Sequence, residues 1–357
     1  MRILLVQQEW PHEFRRSTQW SYISSLGYVE ALQACGVEVT WLTSPWLPLR
    51  EPLLKGRHFD QVWLIDLVHL EPPAGFFAQL EALAAVRVGL IGESLRYSAE
   101  ELGDHPDYAT RESVVRRRSE HLTHVLCCDE DDARHLSSEG VAALWLPPGM
   151  LRSLVVPEDA VQPKGPIGFI GEIYPKRARF FDHQGLRKRL LRVVPNDRPR
   201  ELEARYLELV GCIERSQAGD EDPRVAHRRY NAALIALRRE IYLRYLAAFS
   251  GLGATINPPT LFKSYPGRVY EAIARGVPVL SWRIPERPGA ERLFEPGREI
   301  VLFDACDPDA LCELLDRTAA DPVAGRVQAL RARQRLLADH TLEARCLQAL
   351  RFMETTL

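Results

Sequence analysis

An arginine at the opening of a helix, a carboxylate three residues further on, and a lysine and serine just upstream form the most chemically suggestive pattern in this chain. The run GATINPPTLFKSYPGRVYEAIARGVPVLSW carries Lys263, Ser264, Arg268 and Glu271 in that order, after Asn257 at the end of a strand. The free N–H groups and positive dipole of a helix start suit a diphosphate. Lys263, Ser264 and Arg268 add a cation, a hydroxyl and a forked donor. Glu271 shares a helix face with Arg268, and its carboxylate can accept two hydrogen bonds, matching the vicinal hydroxyls of a ribose. The competing reading is a surface ion pair between Arg268 and Glu271, which would contribute little.

A second cationic group follows the aliphatic run at 167–170. In GEIYPKRARFF, Gly171 permits a tight turn, and Lys176, Arg177 and Arg179 fall at the start of a helix, where they either converge on phosphate oxygens or remain solvated. In the first half, Glu93 stands directly after the strand VRVGLIG. It either orients an acceptor hydroxyl and compensates developing charge or is an acid favoured by a helix dipole. Asp66 ends a strand in a similar way, and His12 and His69 are candidate proton carriers. The loop after the first strand lacks GxGxxG and offers Glu9, His12, Glu13, Arg15, Arg16 and Trp20, a mixture that meets a sugar or acceptor or is merely solvated.

Elements must hold these groups in place. Short apolar strands at 2–6, 37–42, 61–67, 87–91 and 124–128 alternate with helical stretches at 22–34, 74–85 and 110–121. That alternation builds a parallel sheet whose active residues gather beyond the strands' carboxyl ends. A Pro/Gly-rich stretch at 146–166 reads as a linker, after which the grammar restarts. The expected layout is an α/β chain of two Rossmann-like domains, 1–150 and 151–340. The second carries a helical insertion at about 200–250, and a helix at 341–357 crosses back to the first domain. In the insertion, Leu234, Leu237, Ile241 and Tyr245 recur at helical spacing and read as core packing. The tail at 323–352 reads as almost continuous helix.

At 357 residues, two domains are the first expectation. A formal charge of -2 supplies no global field for nucleic acid or an anionic membrane, so any anion must be met locally. Only Lys55, Lys164, Lys176, Lys188 and Lys263 accompany 41 arginines; this follows from a codon bias or from a use for forked donors. Seven cysteines without CxxC spacing suit buried free thiols in a reducing cytoplasm. No apolar run reaches the length of a membrane span, and no secretory signal opens the chain.

The segment GRVYEAIARGVPVLSW, continuing through LFEPGREIVLFDACDPDALCELLDRTAADP and RLLADHTLEAR, resembles the C-terminal domain of group 1 glycosyltransferases, closest to the spore-maturation (CgeB-like) branch. The resemblance implies a GT-B fold with two domains facing a central cleft. It also implies transfer of sugar from a UDP- or GDP-linked donor with retention of configuration, and no required metal or further cofactor. Glu271 matches the family acid that holds the donor ribose, and Arg268, Gly276, Pro278 and Lys176/Arg177 also match. The family's other acid falls on Lys263, which turns that position into a phosphate contact. On this reading Arg268, Lys263, Glu93 and Arg177 are the catalytic candidates, and Gly171, Lys176, Arg177, Asn257, Lys263, Ser264, Arg268 and Glu271 bind the donor. The acceptor is a small molecule, a glycan or a peptide. A nucleotide-sugar epimerase and a non-catalytic nucleotide-sugar-binding module are the alternatives.

Overall fold

The computed structural model describes residues 1–15, 21–193 and 200–356. Arg16 and Trp20 lie outside the described residues.

Strands in a sheet covered on both faces read as nearly unbroken apolar runs, as RILLVQ, QVWLI and HVLC do. The first sheet comprises β1 (Arg2–Gln7), β2 (Glu38–Thr43), β3 (Gln61–Ile65), β4 (Val86–Ile91), β5 (His124–Cys127) and β6 (Ala143–Trp145). They run parallel in the order β2-β1-β3-β4-β5-β6. The second comprises β7 (Ile167–Ile170), β8 (Leu190–Val193), β9 (Ala254–Asn257), β10 (Val279–Trp282) and β11 (Val301–Phe303), parallel in the order β11-β10-β9-β7-β8. These are two Rossmann-like, doubly wound sheets. Each reverses its strand order once, between β1 and β3 and between β7 and β9, and a crevice forms beyond the carboxyl ends at such a switch point.

With the first sheet go helices α1 (Tyr28–Ala34), α2 (Arg50–Leu54), α3 (Phe76–Leu83), α4 (Ala99–Asp104), α5 (Arg111–Ser119) and α6 (Glu130–Ser138). With the second go α7 (Pro175–Phe181), α8 (Gln184–Arg189), α9 (Arg200–Ala218), α10 (Pro223–Ala247), α11 (Gly267–Ala274), α12 (Pro288–Glu291), α13 (Pro308–Ala320), α14 (Pro322–Asp339) and α15 (Leu342–Thr355).

Helices α9 and α10 form a hairpin in the connection from β8 to β9, yet they pack on the first sheet's side of the molecule. Trp46, fully buried, meets Tyr230 of α10 edge-on at 5.5 Å and His227 at 5.0 Å. Asn231 donates to the Trp41 carbonyl, and Arg224 to that of Pro52. At the hairpin's centre Arg238 pairs with Glu9 at 3.2 Å, both side chains out of water. Helix α15 packs against α1.

Several expected boundaries move. The stretch 22–34 begins as a π-helical turn, Ile23–Gly27, before α1. The almost continuous helical tail breaks at 340–341 into α14 and α15. His340 and Thr341 are drawn into a bridge with Met150, and Thr341 then caps α15 by accepting from the Ala344 N–H at 3.2 Å. All seven cysteines are free, but Cys306 is exposed rather than buried.

Candidate anion and nucleotide site

The loops after β7 and β9 meet at the second sheet's switch point. Leaving β7, Gly171 adopts φ 144°, and a Cβ there would lie 3.2 Å from both Arg268 Nη2 and the Phe169 ring edge. That positive φ favours glycine, and a side chain there would also crowd Arg268. Pro175 then opens α7 at a position that tolerates proline, and two residues later Arg177 turns inward, 4% exposed. Its Nη1 donates to the Glu172 carbonyl at 2.9 Å and its Nη2 to Thr260 Oγ1 at 3.1 Å. Both guanidiniums lie near the same aromatic ring: Phe169 is 5.5 Å from Arg177 and 5.0 Å from Arg268. Tyr174 adds a second ring, 4.2 Å from Arg177.

Among the described residues neither Arg177 nor Arg268 has a carboxylate within ion-pair distance. Arg177 Nε, Arg268 Nη1 and the Ser264 hydroxyl are buried without a hydrogen-bond partner. Burial pushes Arg177 down to about 9, with the like charge of Arg268 adding to the effect; burial also lowers Arg268. Two cations of like sign, Arg177 buried and Arg268 half-buried with its Nη1 out of water, are costly to fold around when their donors are unsatisfied. Chemically they suit a doubly charged oxyanion, which would satisfy those N–H groups. Asn257 is at the same rim, but its amide donates to Ser281 at 2.9 Å and it is fully buried.

The two lysines expected to join this group are turned elsewhere. Lys176 Nζ lies 2.7 Å and Lys263 Nζ 3.0 Å from opposite oxygens of Glu101, on α4 of the other half. Glu101 also completes the capping box of α4 with Ser98. Burial alone would raise its carboxyl, but hydrogen bonds from Lys176, the Ser98 backbone and Lys263 hold it down at about 2. The Lys263 N–H donates to Ser94 at 2.9 Å, and Arg179 reaches Asp104 at 2.7 Å. A carboxylate thus holds the position beside these lysines that a phosphate was expected to take.

Glu271 is not half of a surface ion pair with Arg268. It is buried, and its two oxygens accept hydrogen bonds from Tyr242 at 2.9 Å and Tyr245 at 2.8 Å, both from α10. Burial raises its carboxyl, and the two tyrosine hydroxyls oppose that rise. Gly267 and Arg268, at the opening of α11, stay partly exposed, so the helix start is not sealed.

Across the cleft, the loop after β1 is only partly available. Glu9, 1% exposed, takes a hydrogen bond from Tyr206 at 3.1 Å besides its pairing with Arg238, whereas His12, Glu13 and Arg15 are exposed. Covering by the hairpin therefore removes Glu9 from the residues a sugar could touch. Glu93 is ion-paired with Arg111, whose guanidinium stacks 3.4 Å from the Tyr108 ring centroid. Beyond β3, Asp66 takes a positive φ of 56° and meets His69 at 2.6 Å. Burial would lower His69, but the Asp66 carboxylate outweighs it and the imidazole is raised. Sequence reasoning treated this acid and this histidine separately; their three-residue spacing across a tight turn was the signal. It also missed Glu101, Phe169 and the hydroxyls of Tyr242 and Tyr245.

Among the described residues, no cluster of three or more His, Cys, Asp or Glu side chains could hold a metal ion, and no helix is long and apolar enough to cross a membrane.

Residues 217–351 match the family model described as "Glycosyl transferase-like". Comparison with curated proteins yields no match. Among solved structures, sucrose-phosphate synthase from Thermosynechococcus elongatus is similar at 16% identity and a TM-score of 0.60, covering 99% of this chain and 98% of its own. HepE from Anabaena, in complex with UDP and glucose, is similar at 14% identity and a TM-score of 0.58, covering 99% and 100%. An α,α-trehalose-phosphate synthase (UDP-forming) from Burkholderia vietnamiensis follows at 12% identity and 0.54, covering 99% and 96%. At these identities the likeness establishes the fold: the two sheets with their flanking helices have the GT-B architecture. No spore-maturation branch is singled out.

Proposed function

Given a GT-B fold, we propose that this protein transfers a glycosyl group from a nucleoside-diphospho-sugar to an acceptor hydroxyl. The observation that carries this reading is the pair of buried, unsatisfied donors on Arg177 and Arg268, without a carboxylate partner among the described residues, at a sheet switch point beside an open helix start. As the bond from the anomeric carbon to the diphosphate oxygen breaks, its electron pair goes to the diphosphate. The two guanidiniums and the α11 N–H groups face that charge where it grows. The acceptor oxygen forms the new bond to the anomeric carbon and gives up its proton to the departing diphosphate oxygen. Glu271 takes the ribose hydroxyls. Lys263 and Lys176 join the phosphates when they leave Glu101, and Glu93, held by Arg111, lines the acceptor side.

The sequence resemblance supports retention, with attack from the face the diphosphate leaves. Charge supplied by arginine makes the reaction independent of a metal, which activity in excess chelator would check. Seven cysteines, several of them buried, suit work in the reducing cytoplasm. UDP is the first nucleotide to try, because the similar structures include complexes with UDP and a UDP-forming enzyme.

The test is thermal stabilisation by UDP, GDP and pyrophosphate, followed by product mass analysis with UDP- and GDP-sugars in the presence and absence of acceptors. Ligand at 100 times its Kd should add about 2.7 kcal/mol of stability. Transfer should require the acceptor. Isomerised sugar without an acceptor would instead mark an epimerase, and tight nucleotide binding with no turnover would mark a binding module. Failure of every diphosphate to bind would sink all three.

A further inference from the structure

Both oxygens of the Glu271 carboxylate are held from one side by a single helix. Tyr242 and Tyr245 stand three apart on α10, hence on one face, with rings 6.0 Å apart and nearly parallel at 18°. Each donates to a different oxygen. An ionised carboxylate has about four acceptor sites, so this arrangement uses one on each oxygen and leaves one on each. Two spare sites on two oxygens fixed in place are what a vicinal diol needs. Gly267, at the opening of α11, lies against Glu271 Oε1 without a side chain; a Cβ there would be 3.5 Å away.

The tyrosines are themselves fixed by the first half of the molecule. Tyr22 stacks on Tyr242 at 5.0 Å and 11°. The Tyr22 hydroxyl is bound to Glu30, which is ion-paired with Arg239 of the same α10. Further along, Arg238 is anchored on Glu9.

We propose that Tyr242 and Tyr245 are positioning residues, which orient Glu271 so that the site selects a ribonucleoside diphosphate over its 2′-deoxy counterpart. The inference rests on the nucleotide reading above and adds what the hairpin does for it. Removing the hydroxyls leaves a buried acid without the donors that offset its burial. It then spends more time protonated, and its oxygens are free to rotate away from the diol.

Calorimetric titration of UDP and 2′-deoxy-UDP, and of GDP and 2′-deoxy-GDP, into wild type, Tyr245→Phe and Tyr242→Phe/Tyr245→Phe tests this between pH 5.5 and 8. Phenylalanine keeps the ring packing, and melting temperatures would confirm intact folds. Wild type should prefer a ribonucleotide by roughly tenfold, the value of one to two hydrogen bonds. The double variant should lose most of that preference while binding the deoxynucleotide as before, and its ribonucleotide affinity should fall further at the acid end. Undiminished preference in the double variant overturns the proposal. So does tighter ribonucleotide binding, which would mean that the tyrosines compete with the sugar. Equal wild-type affinity for ribo and deoxy forms sinks the ribose role while leaving the diphosphate site standing. Binding of neither refutes the nucleotide reading itself.

Discussion

Arg177 and Arg268 show how a single pair of residues can sacrifice stability for binding. Arg177 is taken from water, and Arg268 partly so, each near a charge of the same sign, and the Phe169 and Tyr174 rings return only part of the cost. Replacing Arg268 with methionine should therefore stabilise the ligand-free protein by roughly 1 kcal/mol or more while abolishing the thermal shift with pyrophosphate. Parallel melts of both proteins with and without pyrophosphate would check this, and a destabilised variant would contradict it. A second residue carries a pH signature. Asp132 is raised chiefly by burial and then by Asp129, against the Leu95 N–H and Arg287. A carboxyl raised in the folded state adds stability that is full below its unfolded value, roughly 4, and is lost as pH climbs through the folded one. Asp132→Asn should melt higher than wild type at pH 8 and show a flatter dependence from pH 4 upward.

Helix α11 and the α9–α10 hairpin mark what is legible in a sequence and what is not. The bounds of α11 follow from the proline before it, the apolar spacing within it and Gly276 after it, whose φ of 73° only glycine adopts easily. The hairpin's existence was equally legible from its charge-rich helical pattern. Its destination was not. Leu234 and Leu237 are core, as their spacing suggests, but Tyr245 at the end of the same stripe aims its hydroxyl at Glu271. Periodicity names a buried face and says nothing of which surface covers it. The cationic positions were legible by residue type, while the choice between an anion and Glu101 depended on an element 75 residues away for Lys176. Trp46→Ala tests the hairpin's docking. Removing a fully buried ring should cost about 3–5 kcal/mol and speed hydrogen exchange in α10 more than in the second sheet.

Across the whole molecule, ion pairs bridge the two halves. Glu101 with Lys176 and Lys263, Asp104 with Arg179, and Asp129 with Arg287 at 2.5 Å all join the first sheet's side to the second. Glu101, held at about 2, contributes stability that is present above an ordinary carboxyl value and is lost only as pH falls through its folded one. Small-angle scattering should accordingly show no expansion of wild type between pH 7 and pH 4. Glu101→Gln should widen the particle at neutral pH and leave two lysines free, raising pyrophosphate affinity several-fold; an unchanged radius and affinity would show that the clasp is idle. The hairpin's route through the chain has a last consequence. It is encoded after β8 but covers the Trp46 ring with His227 and Tyr230, so a fragment ending within 146–166 would leave that indole facing solvent. Such a piece should precipitate when made alone and dissolve when the remainder of the polypeptide is supplied in trans.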